Sequence, residues 1–536
     1  MKSNTKVLVR HLSGEEHEWA SQWKDYTEDL ELFVQQFPKI ELHVHLDGSF
    51  DPHVLWNHLQ ETKPESLEKL PSATPLPWKN NEPLPVQQLV QQCQTARDYH
   101  ALCTCRDRGE RSLEQMLTCF EIFLPTVREN LELIEQLAYD FCQRQWQQHC
   151  IYTEVRYSPH LLAEGFTKDN DTDHNTNPSQ TVTGEQVYQV VTRGLRKGCQ
   201  QFGITINQIL CCINWRPDWA QPTLDLVQQY QNDFPCAAVG IDIAAGEEHF
   251  DKENFPNLHE PHFQVIQQAK DKNIPITLHA GEVPIAEKGL DNLRRAVHEY
   301  GAVRIGHGYR IASSPETMKE LREQNIHFEI CPTSSVETGG WAYNHEATTT
   351  TTGDEQDTTN NNTADKNNKD WTQHPGRIMQ KHGLSISLNS DDPAVFHTSL
   401  AWQFRMALAK MKMSRFELYK ANIDAVQASF CDEATKEQMT QQIRHYGQST
   451  GVIDVHGNMV EHLGGEMGFS ASSSDQDTSS TTMGDRTRPY RRALSENFQD
   501  RVYLETKRSA DLVRLASDSS DGDDQQDVND APVYYT

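Results

Sequence analysis

The sequence predicts an α/β chain closed into a (β/α)8 barrel, and three observations carry that prediction. Short β-rich apolar runs recur eight times, helical patterns fill the gaps between them, and the polar motifs fall at the same ends of the runs. The runs are Ile40–Val44, Ile151–Val155, Ile206–Ile213, Ala237–Ile243, Ile274–Leu278, Val303–Ile305, His327–Ile330 and Leu384–Leu388. Segments between them, such as Gly289–Glu299 and Pro315–Gln324, repeat apolar residues at helical spacing. Strand and helix therefore alternate, as a parallel sheet with crossover helices requires. Eight such units close most simply into a TIM-type barrel, whose strand ends converge on one mouth.

Before the first run, residues from about 15 to 36 have apolar positions at helical spacing and lead into Pro38, so a helix feeding a strand is expected. Asp51 to Gly109, with its Pro, Leu and Gln content, is an elaboration after the first strand whose internal structure the pattern does not define. Three segments stand apart from the scaffold: the polar run Asp169 to Gln180, the Thr/Asn-rich tract His345 to Asp370, and a tail from about Gly464 that is Ser-rich and then acidic. Each has too few apolar residues to offset its ordering entropy, so disorder is expected there. The expected organisation is a helical lead-in over 1–37, a barrel over 38–463 carrying a low-complexity insertion at 345–370, and an acidic tail over 464–536.

Lys and Arg number 49 against 77 Asp and Glu, giving a net charge of -28. Such a chain repels phosphate-rich partners, which argues against nucleic acid and anionic membrane as partners. The N-terminal stretch has no apolar core of signal-peptide length, and nowhere do about 18 apolar residues run uninterrupted, so a cytoplasmic location is expected. The twelve cysteines are irregularly spaced, and Cys211, Cys212 and Cys331 lie inside apolar runs where a thiol behaves as a small hydrophobe. No disulfide framework is expected. In the tail, RTRPYRRALSENF reads as a solvated charge cluster or as a docking or phosphorylation site at Ser495, and the protein partner of the tail is unknown.

The chemistry-bearing motifs begin with Glu41-Leu42-His43-Val44-His45-Leu46-Asp47-Gly48 at the end of the first run. Residues two apart on a strand point the same way, so His43 and His45 present two imidazoles to one side at a spacing suited to a single metal. His279-Ala280-Gly281-Glu282 follows the fifth run, Gly306-His307-Gly308 the sixth, and Asn389-Ser390-Asp391-Asp392-Pro393 the eighth. Taken singly, each also reads as a satisfied polar group at a strand end, or as a helix cap before Pro393. Taken together, four motifs in barrel order at the same strand ends point to a mouth built for chemistry. Three neutral imidazoles and one carboxylate suit zinc with one position open for water. A carboxylic acid beside the metal can protonate a substrate nitrogen while a second carboxylate accepts a proton from water, which completes the inventory for metal-assisted hydrolysis.

In order, from Pro38 to Tyr446, the segments PKIELHVHLDGS, YTEVRYSPHLLA, ILCCINWRP, LHAGE, IGHGY, HFEICPTSS and SLNSDDP closely resemble the signature segments of adenosine deaminases. The resemblance implies that His43, His45, His279 and Asp391 bind one zinc ion per chain. It implies that Glu282 protonates purine N1, that His307 orients the attacking hydroxide, and that Asp391 doubles as proton acceptor. Asp392 would bond N7, Asp47 the ribose 5′-hydroxyl, and Gly246 purine N3 through its backbone, with His45 also facing the substrate. The implied substrates are adenosine and 2′-deoxyadenosine, within purine nucleoside metabolism. Glu282 must stay protonated near neutral pH, so burial should raise its pKa. The family also covers its pocket with an apolar helix, matched by Leu113, Met116, Leu117 and Phe120, whose spacing alone reads as ordinary helix core.

One departure from the family pattern concerns the fourth strand end, where Asp-Leu-Ala-Gly-Asp-Glu is usual and this chain has Asp242-Ile243-Ala244-Ala245-Gly246-Glu247. The glycine is displaced by one residue, and Ala245 holds the ungapped position. Two other readings stay open. Another barrel deaminase or hydrolase acting on adenine or a nucleotide monophosphate would need, for the nucleotide, convergent Arg or Lys at the mouth. A catalytically idle binding or growth-factor-like relative would have lost a ligand or Glu282, or would carry a secretion signal.

Overall fold

The first barrel strand owes its start to Pro38, which ends the preceding helix and sets the chain extended. In the computed structural model, helix α1 (Glu28–Gln36) is followed by β1 (Lys39–His45). The structure describes Trp23 and residues 26–460, except 63–66, 69, 77–78, 106–110, 164–181, 284 and 342–369. The polar run at 169–180, all of the Thr/Asn tract at 345–370 but Asp370, the tail from 464 and Ser495 lie outside the described residues.

Seven further strands complete the barrel: β2 (Cys150–Tyr157), β3 (Thr205–Ile213), β4 (Ala238–Ala244), β5 (Thr277–Ala280), β6 (Arg304–His307), β7 (His327–Ile330) and β8 (Ser385–Leu388). They form two parallel arcs, β1-β2-β3-β4 and β5-β6-β7-β8, in sequence order. Parallel bridges at Ile241–Ile276 and Val44–Asp391 join the arcs and close the ring. All eight expected runs are strands. The fifth starts later than its apolar run because Pro275 has no N–H for the ladder and only its carbonyl takes part, accepting from Ile241 at 3.1 Å.

Among the described residues the lead-in is helical over Glu28–Gln36, inside the expected span. Thr27 is extended and its hydroxyl caps Leu30 N–H at 3.3 Å, so the helix starts at Glu28, while Arg405 anchors it through Glu31 at 2.8–2.9 Å. The elaboration after β1 contains helices Pro52–Glu61, Val86–Gln92 and Ala96–Cys103 and a hairpin pairing Thr74–Leu76 with Glu82–Leu84. Helix α2 (Leu113–Val127) then crosses toward the barrel mouth, and α3 (Ala286–His298) follows β5. All twelve cysteines are free thiols. Among the described residues no helix is long and apolar enough to cross a membrane.

Apolar side chains such as Leu42, Ile209, Ile241, Leu278, Ile305 and Phe328 fill the core. Charge is buried inside it as well. Glu329 on β7 accepts from Arg304 on β6 (2.7 Å), Arg156 on β2 (2.7 Å) and Thr277 on β5 (2.9 Å), and Arg156 continues to Asp242 on β4 (2.8 Å). Every charge in this strap has an opposite partner, the condition under which burial is tolerated. The strap stands directly beneath the mouth and presents two of its carboxylates to histidines above.

Candidate active site

The ends of β1, β5, β6 and β8 bring the sequence-predicted residues to one place. Alternation along β1 aims His43 and His45 into the barrel. At the end of β8, Asp391 takes a left-handed backbone (φ 65°), its N–H donating to His43 O at 3.1 Å while its carbonyl accepts from His45 N–H at 2.7 Å. That turn folds its carboxylate back over β1. His43 Nε2 lies 3.2 Å and His45 Nε2 3.5 Å from Asp391 Oδ1, and His45 Nε2 is 3.3 Å from His279 Nε2. One ligand atom from each of the four residues falls within 4.8 Å of every other.

The partners of the outer ring nitrogens settle what the inner ones offer. His43 Nδ1 is 2.7 Å from Glu329 Oε2 and His279 Nδ1 is 2.9 Å from Asp242 Oδ2, so carboxylates hold the protons there and leave Nε2 as a lone pair. Burial pulls the His279 pKa down, but Asp242 outweighs it and raises the group on balance. Burial, only partly offset by Asp391, holds His45 well below its ordinary value. His45 Nε2 and His279 Nε2 approach to 3.3 Å, and His43 Nε2 has no hydrogen-bond partner. Donor separations of about 3.3 Å are those of a tetrahedral ion with ligands at about 2.05 Å, so this donor set fits zinc.

His307 and Glu282 flank the four donors. His307 Nε2 is 3.7 Å from Glu282 Oε2 and 3.9 Å from Asp391 Oδ2. Its Nδ1 is 3.0 Å from the Tyr309 hydroxyl, which donates its proton to Cys331 O at 2.9 Å. Tyr309 must then accept from Nδ1–H, and Nε2 faces the site unprotonated. Burial, and after it the Asp391 charge, pushes Glu282 up to about 7. Burial and Asp391 also raise Asp392 well above the usual carboxylate range, while His307 and His43 hold Asp391 well below it against its own burial. Asp47 is pushed up to about 7 by burial, which the Ser158 N–H at 3.4 Å only partly opposes.

A cavity of about 760 Å³, its open mouth included, rises from this floor. His45, Asp47, Glu282, His307, Asp391 and Asp392 border it at depth. Leu113, Met116, Leu117 and Phe120 of α2 form an apolar wall, so the face that spacing alone reads as core borders the cavity too. Leu161, Ile213 and Trp215 line another side. Both Ala245 (φ 66°) and Gly246 (φ 124°) border the cavity, so the displaced glycine and the residue in its ungapped place share one turn. The nine residues given site roles from the sequence come together here, and all of them but His43, which lies among the four donors at the floor, border the cavity.

The supporting residues escaped the sequence. Glu329 sits in His327-Phe328-Glu329-Ile330, which reads as plain strand alternation, and Asp242 reads as part of a substrate-contact motif. A lone acid inside an otherwise apolar run was the available signal in both cases. Tyr309 and Glu247 stand inside the resemblance segments IGHGY and Asp242–Glu247, but nothing in the sequence gave either of them a partner.

Comparison with known proteins adds an independent line. A family model described as adenosine deaminase matches residues 84–367 and 358–446. The adenosine deaminase of Xenopus tropicalis is 31% identical over 418 residues, spanning 77% of this chain and 98% of its own length. That of Bos taurus is 28% identical over 409 residues, spanning 75% and 92%. Among solved structures, a zinc-bound amidohydrolase from Burkhoderia ambifaria aligns with a TM-score of 0.55 at 17% identity, covering 79% of this chain and 95% of that one. The N6-methyl-AMP deaminase of Arabidopsis thaliana aligns with a TM-score of 0.52 at 19% identity, covering 77% and 98%. At such identities these structures speak for the fold.

Proposed function

The chain belongs to the adenosine deaminase family, and from that premise we propose that it hydrolyses the C6 amino group of adenosine and 2′-deoxyadenosine, with one zinc ion per chain, in purine nucleoside salvage and catabolism. The observation that carries this reading is the meeting of the His43, His45 and His279 imidazoles and the Asp391 carboxylate beside a carboxyl group, Glu282, whose pKa burial lifts to about 7. His43, His45, His279 and Asp391 would hold the ion. When bound, it supplies the Lewis acidity that makes water nucleophilic near neutral pH.

The remaining work falls to side chains. Purine N1 is a weakly basic acceptor, so Glu282 must meet it as the acid, and its proton moves to N1 as C6 is attacked. His307, with Nε2 turned inward, orients the attacking water and stabilises charge growing at C6. Asp391, kept ionised by its histidines, accepts the proton that water gives up; that proton passes to the C6 amino group, the C6–N bond breaks, and ammonia and inosine are the products. N7 is likewise an acceptor, and Asp392, buried beside Asp391, keeps the proton with which to donate to it. The Ala245–Gly246 turn, with Gly246 as the first candidate, offers a backbone N–H to N3. Asp47 accepts from the ribose 5′-hydroxyl, with His45 beside it.

Asp47 makes the reading testable. Its carboxyl finds nothing to bind in free adenine, and a 5′-phosphate brings it no hydroxyl proton to accept while adding negative charge beside a buried acid. Initial rates on adenosine, 2′-deoxyadenosine, adenine, AMP and cytidine at matched concentration should rank the two nucleosides far above the rest. AMP or adenine as best substrate would overturn the nucleoside assignment.

A further inference from the structure

Glu282 owes its place to a tripeptide, Gly281–Val283, that belongs to neither β5 nor α3. Gly281 is left-handed (φ 75°), and a Cβ there would meet Leu293 at 2.9 Å. Three successive backbone N–H groups of this turn would go unpaired without an external acceptor, and all three are bound by one carboxylate, Glu247. Its Oε1 accepts from Glu282 N–H (2.7 Å) and Val283 N–H (3.2 Å); its Oε2 accepts from Gly281 N–H (3.0 Å) and from the Asn292 side-chain amide on α3 (2.7 Å). On the opposite side Arg310 donates through Nε to Val283 O (2.6 Å) and through its N–H to Gly281 O (3.2 Å). Glu247 is 3% exposed, and although it borders the cavity both of its oxygens are spent on the turn and on α3.

We propose that Glu247 is a positioning residue for the deamination: its carboxylate clamps the Gly281–Val283 turn and so fixes where the Glu282 carboxyl delivers its proton, without itself touching substrate. The inference rests on Glu282 being the acid that serves N1. The chemistry explains why a carboxylate stands here. An amide of the same shape must turn an NH2 toward two N–H donors, whichever way it is flipped, because each oxygen of Glu247 takes two. The turn would shift to relieve that repulsion, and a shift of about 1 Å in a reacting group can cost roughly 10²-fold in rate.

A double-mutant cycle tests this. Glu247→Gln, Glu282→Gln and the double variant are each measured for kcat and KM on adenosine and for zinc content. Glu247→Gln alone should lower kcat by roughly 10- to 100-fold while KM and zinc content stay near wild type, because the clamp acts on the acid and not on substrate or metal binding. In the Glu282→Gln background, which itself should cost roughly 10²-fold, the same change should cost little more. An equal factor in both backgrounds, or wild-type kcat in Glu247→Gln, would overturn the clamp while leaving Glu282 as the acid. Wild-type turnover in Glu282→Gln would instead remove the acid assignment, and the clamp's purpose with it. If Glu247→Gln does not fold, Glu247→Asp, which keeps the acceptor and shortens its reach, takes its place in the cycle, and each outcome then supports or overturns the clamp as it does for Gln.

Discussion

At the level of single residues, the site depends on what is missing as much as on what is present. Gly48 follows Asp47 at the end of the first motif, and a Cβ built there would lie 1.8 Å from Asp392 Oδ1 and 2.6 Å from its Cγ. The segment after β1 can therefore pack against Asp392 only as glycine, and Gly48→Ala must push that carboxyl aside. If Asp392 recognises the purine edge, the variant should raise the KM for adenosine by roughly tenfold or more, the scale of one lost hydrogen bond to a charged or buried group. Zinc content should be unchanged, since Asp391 is tied separately to His43 and His45 through the backbone. A KM within twofold of wild type would separate Asp392 from purine recognition. At this scale the sequence was legible where side-chain chemistry is dense, in His43, His45, His279, Glu282, His307 and Asp391. It was silent where one residue serves another. Tyr309 sets the tautomer of His307 through a hydroxyl proton spent on Cys331 O, a fact of geometry that no spacing encodes.

At the level of elements, strand identity was readable because buried parallel strands are short continuous apolar runs, while their exact limits depended on backbone details. Pro275 delays β5, and the cap at Thr27 sets the start of α1 at Glu28. The strap beneath the mouth was hidden for a different reason. Whether Glu329 faces the barrel interior depends on closure, which no one strand contains. β7 and β8 also share a buried histidine: His327 Nδ1 is 2.8 Å from Ser385 Oγ and its Nε2 3.0 Å from Ser387 Oγ. Burial, with the Arg304 charge added, pushes His327 down to about 3, against about 6.5 in an unfolded chain. The unfolded chain thus takes up this proton below pH of about 6.5 and the folded one only near 3. Its contribution to stability is intact above that window and is lost as pH falls through it. Denaturant melts at pH 7 and 5 should show His327→Gln losing less stability than wild type, by about 2 kcal/mol on this linkage. Equal losses would mean that the serine pair does not keep the folded imidazole neutral.

At the level of the whole molecule, the sequence implied a closed barrel from the count of eight units, but not that the same residues would close the ring and build the site. The two arcs meet at Val44–Asp391 and at Ile241–Ile276, and the first of these junctions is formed by the backbone of Asp391, one of the four grouped donors. His43 and His45 come from one arc, and His279 and Asp391 from the ends of the other. An ion held by these four would pin the arcs together across the mouth, and it would bind the folded chain but not, as a preformed site, the unfolded one. At a free zinc concentration about a thousandfold above its dissociation constant, such binding stabilises the fold by about 4 kcal/mol. Chelation should therefore lower the melting temperature as well as abolish turnover, and added zinc should restore both together. In Asp391→Ala, with one ligand gone, chelator should move the melting temperature much less than in wild type. If the wild-type protein, shown to have lost its zinc, melts at an unchanged temperature, the ladder at Val44–Asp391 alone suffices to hold the arcs, and the ion's part in this protein is confined to chemistry.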